Sequence, residues 1–528
     1  MNTMKRLFFI TLALCILTVS CEEKPEPEPE SSPAPVLVST NPGDGVSQVE
    51  GSSLSVVFTF DQNIKCTLSK QAGISIDGGA KVDKVNTYNT DLTVAVSGLA
   101  AGSSYVITIP EGTVDGFKTN QKGSAAISFR FSTKEAEQEP SGRMEPGTDA
   151  FGWENAAAAA RNMGAGWNLG NTLDSNSGDV DNMWIEAFSD RSTPKYETAW
   201  GQPVTTRALI HMFKEAGFNA IRVPVTWYPH IGTVTVTVSD NRGHWDMSTW
   251  TGYDVDPAWM ARVKEVVDYV IDEGMYCILN VHHDTGDATT GWLKADKAVY
   301  AAVKERYCAL WKQIATEFEP YGQKLLFESF NEMLDSKGTW NYSTDEAHET
   351  INMYNADFVA TVRATGGNNG HRNLILNTYG ASCQKEALEA FRLPADTAED
   401  HLLAEVHSYA PYDFAFDMTG NPYVKQRTVF DSYCETEVRR NVENMDKYLV
   451  SKGIPCVLGE YGCTAIQSAT EIAKQAACYV SAAAKSDIAC FYWMALSDGE
   501  DRSVPKWTAP TLRDAILKAY KENKNDWQ

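Results

Sequence analysis

The chain is predicted to fold as an α/β protein, a (β/α)8 barrel of the TIM type, preceded by a small β-sandwich. Three observations predict this. Eight apolar, strand-like runs recur between Gly164 and Ser497. Amphipathic helical patterns that tend to end in glycine lie between them. Ahead of both, residues 36–133 carry short alternating stretches broken by Gly, Asn and Asp.

The N-terminus reads as a targeting segment. Lys5 and Arg6 precede LFFITLALCILTV, which is too short and wrongly flanked for a membrane span. LTVSC then presents Cys21 after a small residue, and this resembles a bacterial lipoprotein signal, with Thr18 where Leu is usual. Residues 1–20 are therefore expected to be a signal peptide and Cys21 the lipidated residue. The alternative is ordinary secretion with Cys21 incidental. Residues 21–35 follow as a Pro/Glu-rich spacer. An acidic run directly after the cysteine resembles surface-export signals of Bacteroidetes lipoproteins. It implies an outer-membrane tether, facing outward or into the periplasm.

In the module at 36–133, SLSVVFTF (53–60), DLTVAVSGL (91–99), SYVITIP (104–110) and AAISFRFS (125–132) alternate as strands with one buried face. STNPGDGV, FTFDQNI and ISFRFST resemble bacterial Ig-like domains of cell-surface proteins, implying a spacer or, less simply, a carbohydrate-binding unit. Residues 134–148 form a polar linker, and 149–528 form the barrel. Its strands are read in GAGWNLGNTLD, FNAIRVPVTW, MYCILNVHHD, KLLFESFNEM, RNLILNTYG, HLLAEVHSYAP, IPCVLGEYG and IACFYWMALS. In PAWMARVKEVVDYVIDEG, Trp259 is followed by Val263, Val266, Val267 and Val270 on one helical face. In TEVRRNVENMDKYLVSKG, Val438, Val442, Met445 and Leu449 repeat the pattern before Gly453. An open doubly wound sheet would carry a G-x-G-x-x-G after its first strand, and GWNLGNTLD has none.

A net charge of −23 supplies no basic stripe for phosphates, which argues against nucleic acid as a partner. With Cys15 and Cys21 set aside, nine of the eleven cysteines remain, an odd number that cannot all pair. No C-x-x-C spacing suggests zinc.

Barrel chemistry is expected at the C-terminal ends of the strands. Those ends carry Asn168, Arg222, His282 with His283, Asn331 with Glu332, His407 with Tyr409, Glu460 and Trp493. Two glutamates on strands across the ring suit glycoside hydrolysis, which uses one carboxylic acid and one carboxylate about the anomeric carbon. Arg222 is expected to keep Glu460 ionised and to lower its pKa. Asn331 suits a sugar hydroxyl, His407 and Tyr409 suit orienting the glutamates, and Trp493 offers a platform for a pyranose ring.

GWNLGNTLD, AIRVPVTW, ILNVHHD, FESFNEM, EVHSY, VLGEYG and FYWMALSDGE resemble, in order, the motifs of glycoside hydrolase family 5. The resemblance spans about 150–528. It implies a retaining endo-β-1,4-glucanase with Glu332 as acid/base and Glu460 as nucleophile. Arg222, His282, Asn331, His407, Tyr409 and Trp493 match positions shaping the catalytic subsite. ETAWGQP and YDVDPAWMARV are most similar to the branch of cellulases and xyloglucanases. Met333 stands where that family has Pro, an expected hint of altered substrate. Trp184, Trp200, Trp245 and Trp250, in long insertions, suit either sugar platforms or loop packing.

The expected partner is a β-linked polysaccharide, with no cofactor or metal, membrane contact only through the lipid, and a monomeric state. Alternatives are a xylanase or mannanase of the same family, or a non-catalytic surface glycan-binding lipoprotein. A metal-dependent hydrolase is disfavoured because neighbouring strand residues such as His282 and His283 should point to opposite faces.

Overall fold

The computed structural model describes residues 33–525, apart from 50, 101, 119–121, 135–141, 188–190, 287–290, 341–342, 464–466 and 494–499. The signal peptide, Cys21, most of the first linker, residues 135–141 of the second and MALSDG (494–499) lie outside the described residues. No described helix is long and apolar enough to cross a membrane. The chain divides into two compact units, residues 1–139 and 140–528.

The first unit is a sandwich of two four-stranded sheets. One sheet runs Leu37–Asn41, Ser53–Phe60, Asp91–Ser97 and Lys81–Tyr88 in spatial order. The other runs Val46–Val49, Ile127–Thr133, Ser104–Ile109 and Ser75–Ile76. In SLSVVFTF every second side chain from Val56 to Phe60 is buried, so the period-2 pattern fixes which face turns inward. Phe58 meets Phe129 edge to face at 5.7 Å.

The second unit closes eight parallel strands into a barrel. They are β1 (Ala165–Asn168), β2 (Ala220–Val223), β3 (Tyr276–Asn280), β4 (Leu325–Glu328), β5 (Leu374–Ser382), β6 (Leu402–His407), β7 (Cys456–Tyr461) and β8 (Ala489–Trp493). Asn168 pairs with Arg222 on one side and Trp493 on the other, closing the ring. Each expected strand is present, most of them shorter than the apolar run because the residues beyond turn into rim loops, whereas β5 continues past its run to Ser382.

Several of the connecting helices begin at side-chain caps. Thr206 accepts from Leu209 N ahead of α1 (Arg207–Ala216), and Asp256 from Ala258 N ahead of α2 (Pro257–Asp272). The helix α2 buries Trp259, Val263, Val266, Val267 and Val270, the face read from the sequence. Burying each such valine contributes about 1.5–3 kcal/mol. Further helices are α3 (Lys297–Glu317), α4 (Asp345–Ala364), α5 (Lys385–Ala390), α6 (Ser432–Tyr448), α7 (Ala469–Ala484) and α8 (Pro510–Asn523), with short ones at Thr193–Glu197 and Tyr412–Ala415.

One element escapes the periodicity. NAAAAARNM forms a helix over Ala156–Met163, capped by Asn155. Its alanines are small enough to seat against the barrel interior, where Ala159 and Met163 pack with Leu326, Ile375 and Phe491. It plugs the end of the barrel opposite the polar rim. After β2 the chain makes a hairpin, Ile231–Ser239 with Arg242–Val255. Trp245 and Trp250 are buried beneath it, so these two pack the loop. The nine described cysteines are all unpaired.

Candidate active site

At the rim, Arg222 is the organising charge. Its guanidinium is fully buried, and burying it without partners would cost several kcal/mol. All five of its N–H groups are used. Nε and Nη2 donate to the two oxygens of Glu328, each at 2.7 Å. Nη1 donates to Glu460 Oε1 at 2.8 Å and Asn168 Oδ1 at 3.0 Å, and Nη2 also donates to Asn331 Oδ1 at 3.0 Å. The sequence reading paired Arg222 with Glu460 and overlooked Glu328. The structure adds Glu328, on the strand that leads to Glu332, as the bidentate partner. A carboxylate inside the apolar run of FESFNEM marks the position as unusual, but nothing in the sequence names its partner.

Glu460, the penultimate residue of β7, lies beside His407 on β6, its register partner. Tyr409 Oη donates to Glu460 Oε2 at 2.7 Å. Glu332 stands across the ring, its Oε1 2.7 Å from His407 Nδ1. One carboxylate oxygen of Glu332, one of Glu460 and a ring nitrogen of His407 all lie within 4.8 Å of one another. The side chain of Glu332 is 24% exposed and that of Glu460 only 7%. The two carboxyls therefore meet different environments.

The expected lowering of the Glu460 pKa is corrected. Burial raises its carboxyl above the usual carboxylate range, with Glu332 adding to the rise, against the pull of His407, Arg222 and Tyr409. Arg222 must divide its charge between Glu328 and Glu460, so it does not overcome desolvation. Burial, reinforced by His283, Arg222 and His407, keeps the His282 ring neutral. That ring lies parallel to the Trp493 indole, centroids 5.6 Å apart. Gly170 is required beneath the indole: a Cβ there would meet the ring at 2.7 Å.

His282 and His283 do not diverge as strand alternation would require. β3 ends at Asn280, so both rings turn toward the rim and meet edge to face at 4.5 Å. With Asp174 they place one ligand atom each within 4.8 Å. Trp200 lies 5.1 Å from the His283 ring, at the cleft edge, whereas Trp184 packs against the core. Asn280, another residue the sequence reading passed over, donates to Glu328 Oε1 at 3.0 Å.

Met333 is fully buried in the core, so it touches no substrate. Its N–H donates to Asn331 O at 3.1 Å and its carbonyl accepts from Gly380 N at 3.0 Å. A proline there would lack the first of these bonds. Any effect of Met333 acts through the path of the loop.

Residues 180–499 match the cellulase family, glycosyl hydrolase family 5, and residues 31–133 match a bacterial Ig-like domain. Endoglucanase A of Clostridium longisporum is 34% identical over 387 residues, covering 70% of this chain and 67% of that protein. Endoglucanase 1 of Ruminococcus albus is 35% identical over 373 residues, 68% of this chain and 80% of its own. Among solved structures, a mutant family 5 glycoside hydrolase of Prevotella bryantii B14 in complex with a xyloglucan tetradecasaccharide is 39% identical. It superposes with a TM-score of 0.60 over 70% of this chain and 99% of its own. A broad-specificity endoglucanase of Ruminococcus champanellensis with bound cellotriose is 35% identical, with a TM-score of 0.59 over 69% and 98%. The barrel, its rim of polar strand ends and these matches together place the chain in glycosyl hydrolase family 5, as a glycoside hydrolase.

Proposed function

We propose that this enzyme cleaves the β-1,4-linked glucan backbone of a plant polysaccharide internally and with retention, by double displacement. The observation that carries the reading is the carboxyl pair. Glu332 and Glu460 approach within 4.8 Å, which fits a retaining pair at about 5–5.5 Å rather than an inverting pair beyond about 6.5 Å.

Glu460 is the nucleophile. Arg222 and Tyr409 hold its two oxygens by separate hydrogen bonds, so the attacking carboxylate is oriented before substrate arrives. Glu332, the more exposed of the two, protonates the departing sugar oxygen and then activates water. Asn331 gives its carbonyl oxygen to Arg222, so its NH2 group is the one left for a sugar hydroxyl. Asn168 spaces Arg222 from β7, donating to Gly459 O at 2.9 Å. His282, His283 and Trp493 supply a neutral, largely apolar wall suited to a pyranose.

Cellulose, mixed-linkage β-glucan and xyloglucan are the proposed substrates. Support comes from the endoglucanase relatives and from the xyloglucan and cellotriose complexes of similar enzymes. Digesting these polymers, with xylan and mannan as comparison, and following product anomers by NMR tests the reading. β-Configured first products that vanish in Glu460→Ala are expected; α-configured products would overturn retention.

A lipid on Cys21 that tethers a monomeric enzyme to the outer membrane is the proposed location. It is supported by the LTVSC motif and the acidic spacer after it. Palmitate labelling lost in Cys21→Ser, with protease accessibility on whole cells, tests both the anchor and the face.

A further inference from the structure

One carboxylate beneath the cleft takes no part in the steps above. Glu405 on β6 is fully buried. Its Oε2 accepts from Asn377 Nδ2 on β5. Its Oε1 lies 2.7 Å from His407 Nε2, off the line of a well-formed hydrogen bond, and 3.8 Å from Arg222 Nη2. The opposite ring nitrogen of His407 is the one 2.7 Å from Glu332 Oε1. Glu405 and His407 are two apart on one strand and so share a face, which lines up Glu405, His407 and Glu332.

The neighbouring strand is shaped around this carboxylate. A Cβ on Gly459, next to Glu460, would come within 1.7 Å of Glu405 Oε1. Only a residue without a side chain leaves that space.

The charges facing Glu405 are His407 from its own strand, Arg222 from β2 and Glu328 at the end of β4, while Glu332 from the loop after β4 and Glu460 from β7 face His407. Asn377 from β5 is neutral, and so are the His282 ring just past β3 and the Cys456 thiol of β7, which burial and Glu405 hold protonated. Four carboxyls thus share one permanent cation, a set that retains extra protons near neutral pH. Burial lowers the His407 pKa, but Glu405, Glu460 and Glu332 outweigh it and hold the ring well above its ordinary value. Burial pushes the Glu405 carboxyl up to about 7, against the pull of His407.

We propose that Glu405 is a positioning residue for the acid/base, acting through His407: it holds Nε2 protonated and thereby sets Nδ1 and a shared proton against Glu332. This rests on the assignment of Glu332 and Glu460 above. In the first step the Glu460 oxygen bonds the anomeric carbon, the glycosidic C–O bond breaks, and the Glu332 proton goes to the leaving oxygen. In the second, water bonds that carbon, the ester to Glu460 breaks, and the water proton returns to Glu332. Glu405 is unchanged throughout. Above its own raised range Glu405 is ionised, and that negative charge keeps a proton on the Glu332–His407 pair to higher pH.

The test is Glu405→Gln in the full-length enzyme, with kcat/KM measured against pH. A cello-oligosaccharide, which needs the acid, is compared with an aryl cellobioside whose good leaving group does not. The alkaline limb is expected to move down by about one pH unit or more, since one buried negative charge is removed. The oligosaccharide kcat/KM should fall at least tenfold further than the aryl one. An unmoved limb, or equal losses on both substrates, overturns the proposal. If the variant does not fold, 15N NMR of the wild-type His407 ring decides: Nε2 protonated across the active pH range is expected, and a bare Nε2 overturns it. Activity surviving in Glu460→Ala would instead overturn the catalytic pair. A dead Glu460→Ala beside an unmoved Glu405→Gln profile would overturn the relay alone.

Discussion

Glu328 and Arg222 form a face-on pair, two parallel N–H···O bonds of 2.7 Å, with no solvent contact on either side chain. The arginine cannot turn about this fork, so its remaining N–H groups are aimed at Glu460, Asn168 and Asn331. Glu328 therefore sets the direction from which Glu460 is held, without reaching the cleft.

Glu328→Gln is accordingly expected to lower both stability and turnover. Breaking one partner of a buried ion pair costs about 3–5 kcal/mol. Urea unfolding followed by tryptophan fluorescence measures the loss. A variant within about 0.5 kcal/mol of wild type would show that the fork carries no stability.

The two carboxyls should separate kinetically. Glu332→Gln is expected to reduce kcat/KM on β-glucan by about 10²–10⁴-fold, the range of general acid catalysis. The loss should be far smaller on an aryl cellobioside with a good leaving group. Glu460→Ala should abolish both activities. Equal losses for Glu332→Gln on the two substrates would remove it from the acid role.

The acid limb of the pH profile should report Glu460. Its folded pKa lies above the usual range because of burial, and the proposed role as nucleophile requires it ionised, so activity should fall as pH drops through that raised value. The Tyr409 hydroxyl favours the charged form by donating to Oε2. Tyr409→Phe removes that donor, and the acid limb should move to still higher pH. A limb that moves down would contradict this.

Gly459→Ala tests the packing behind the nucleophile. The added methyl meets Glu405 Oε1, so Glu405 or β7 must shift. Overpacking of this kind costs about 1–3 kcal/mol. A lower unfolding midpoint with a displaced pH optimum is expected. An alanine variant matching wild type in both would show that Glu405 has room to move.

Much of the site is visible in the chain because barrel strands announce themselves. FESFNEM ends an apolar run on polar residues, as do ILNVHHD, EVHSY and VLGEYG, and a barrel gathers such ends at one rim. Asn331, Glu332, His407, Tyr409 and Glu460 were legible for that reason. Glu328, Asn280 and Glu405 were passed over because they sit within the apolar runs, where a lone polar residue has no sequence signature of its partner. The helix at Ala156–Met163 was hidden by its length and composition, since eight residues, five of them alanine, give too few large apolar positions to mark a face.

The sequence by itself determined the architecture and the pairing of one carboxylate with another. Periodicity, helix caps and strand-end polarity are local, and local signals survive without coordinates. Only the tertiary structure decided how charge is shared among them. Arg222 binds Glu328 more fully than Glu460, burial outweighs its pull on the nucleophile, and Met333 points into the core. Each outcome depends on distance and desolvation between residues far apart in the chain, and neither quantity is written in the order of amino acids.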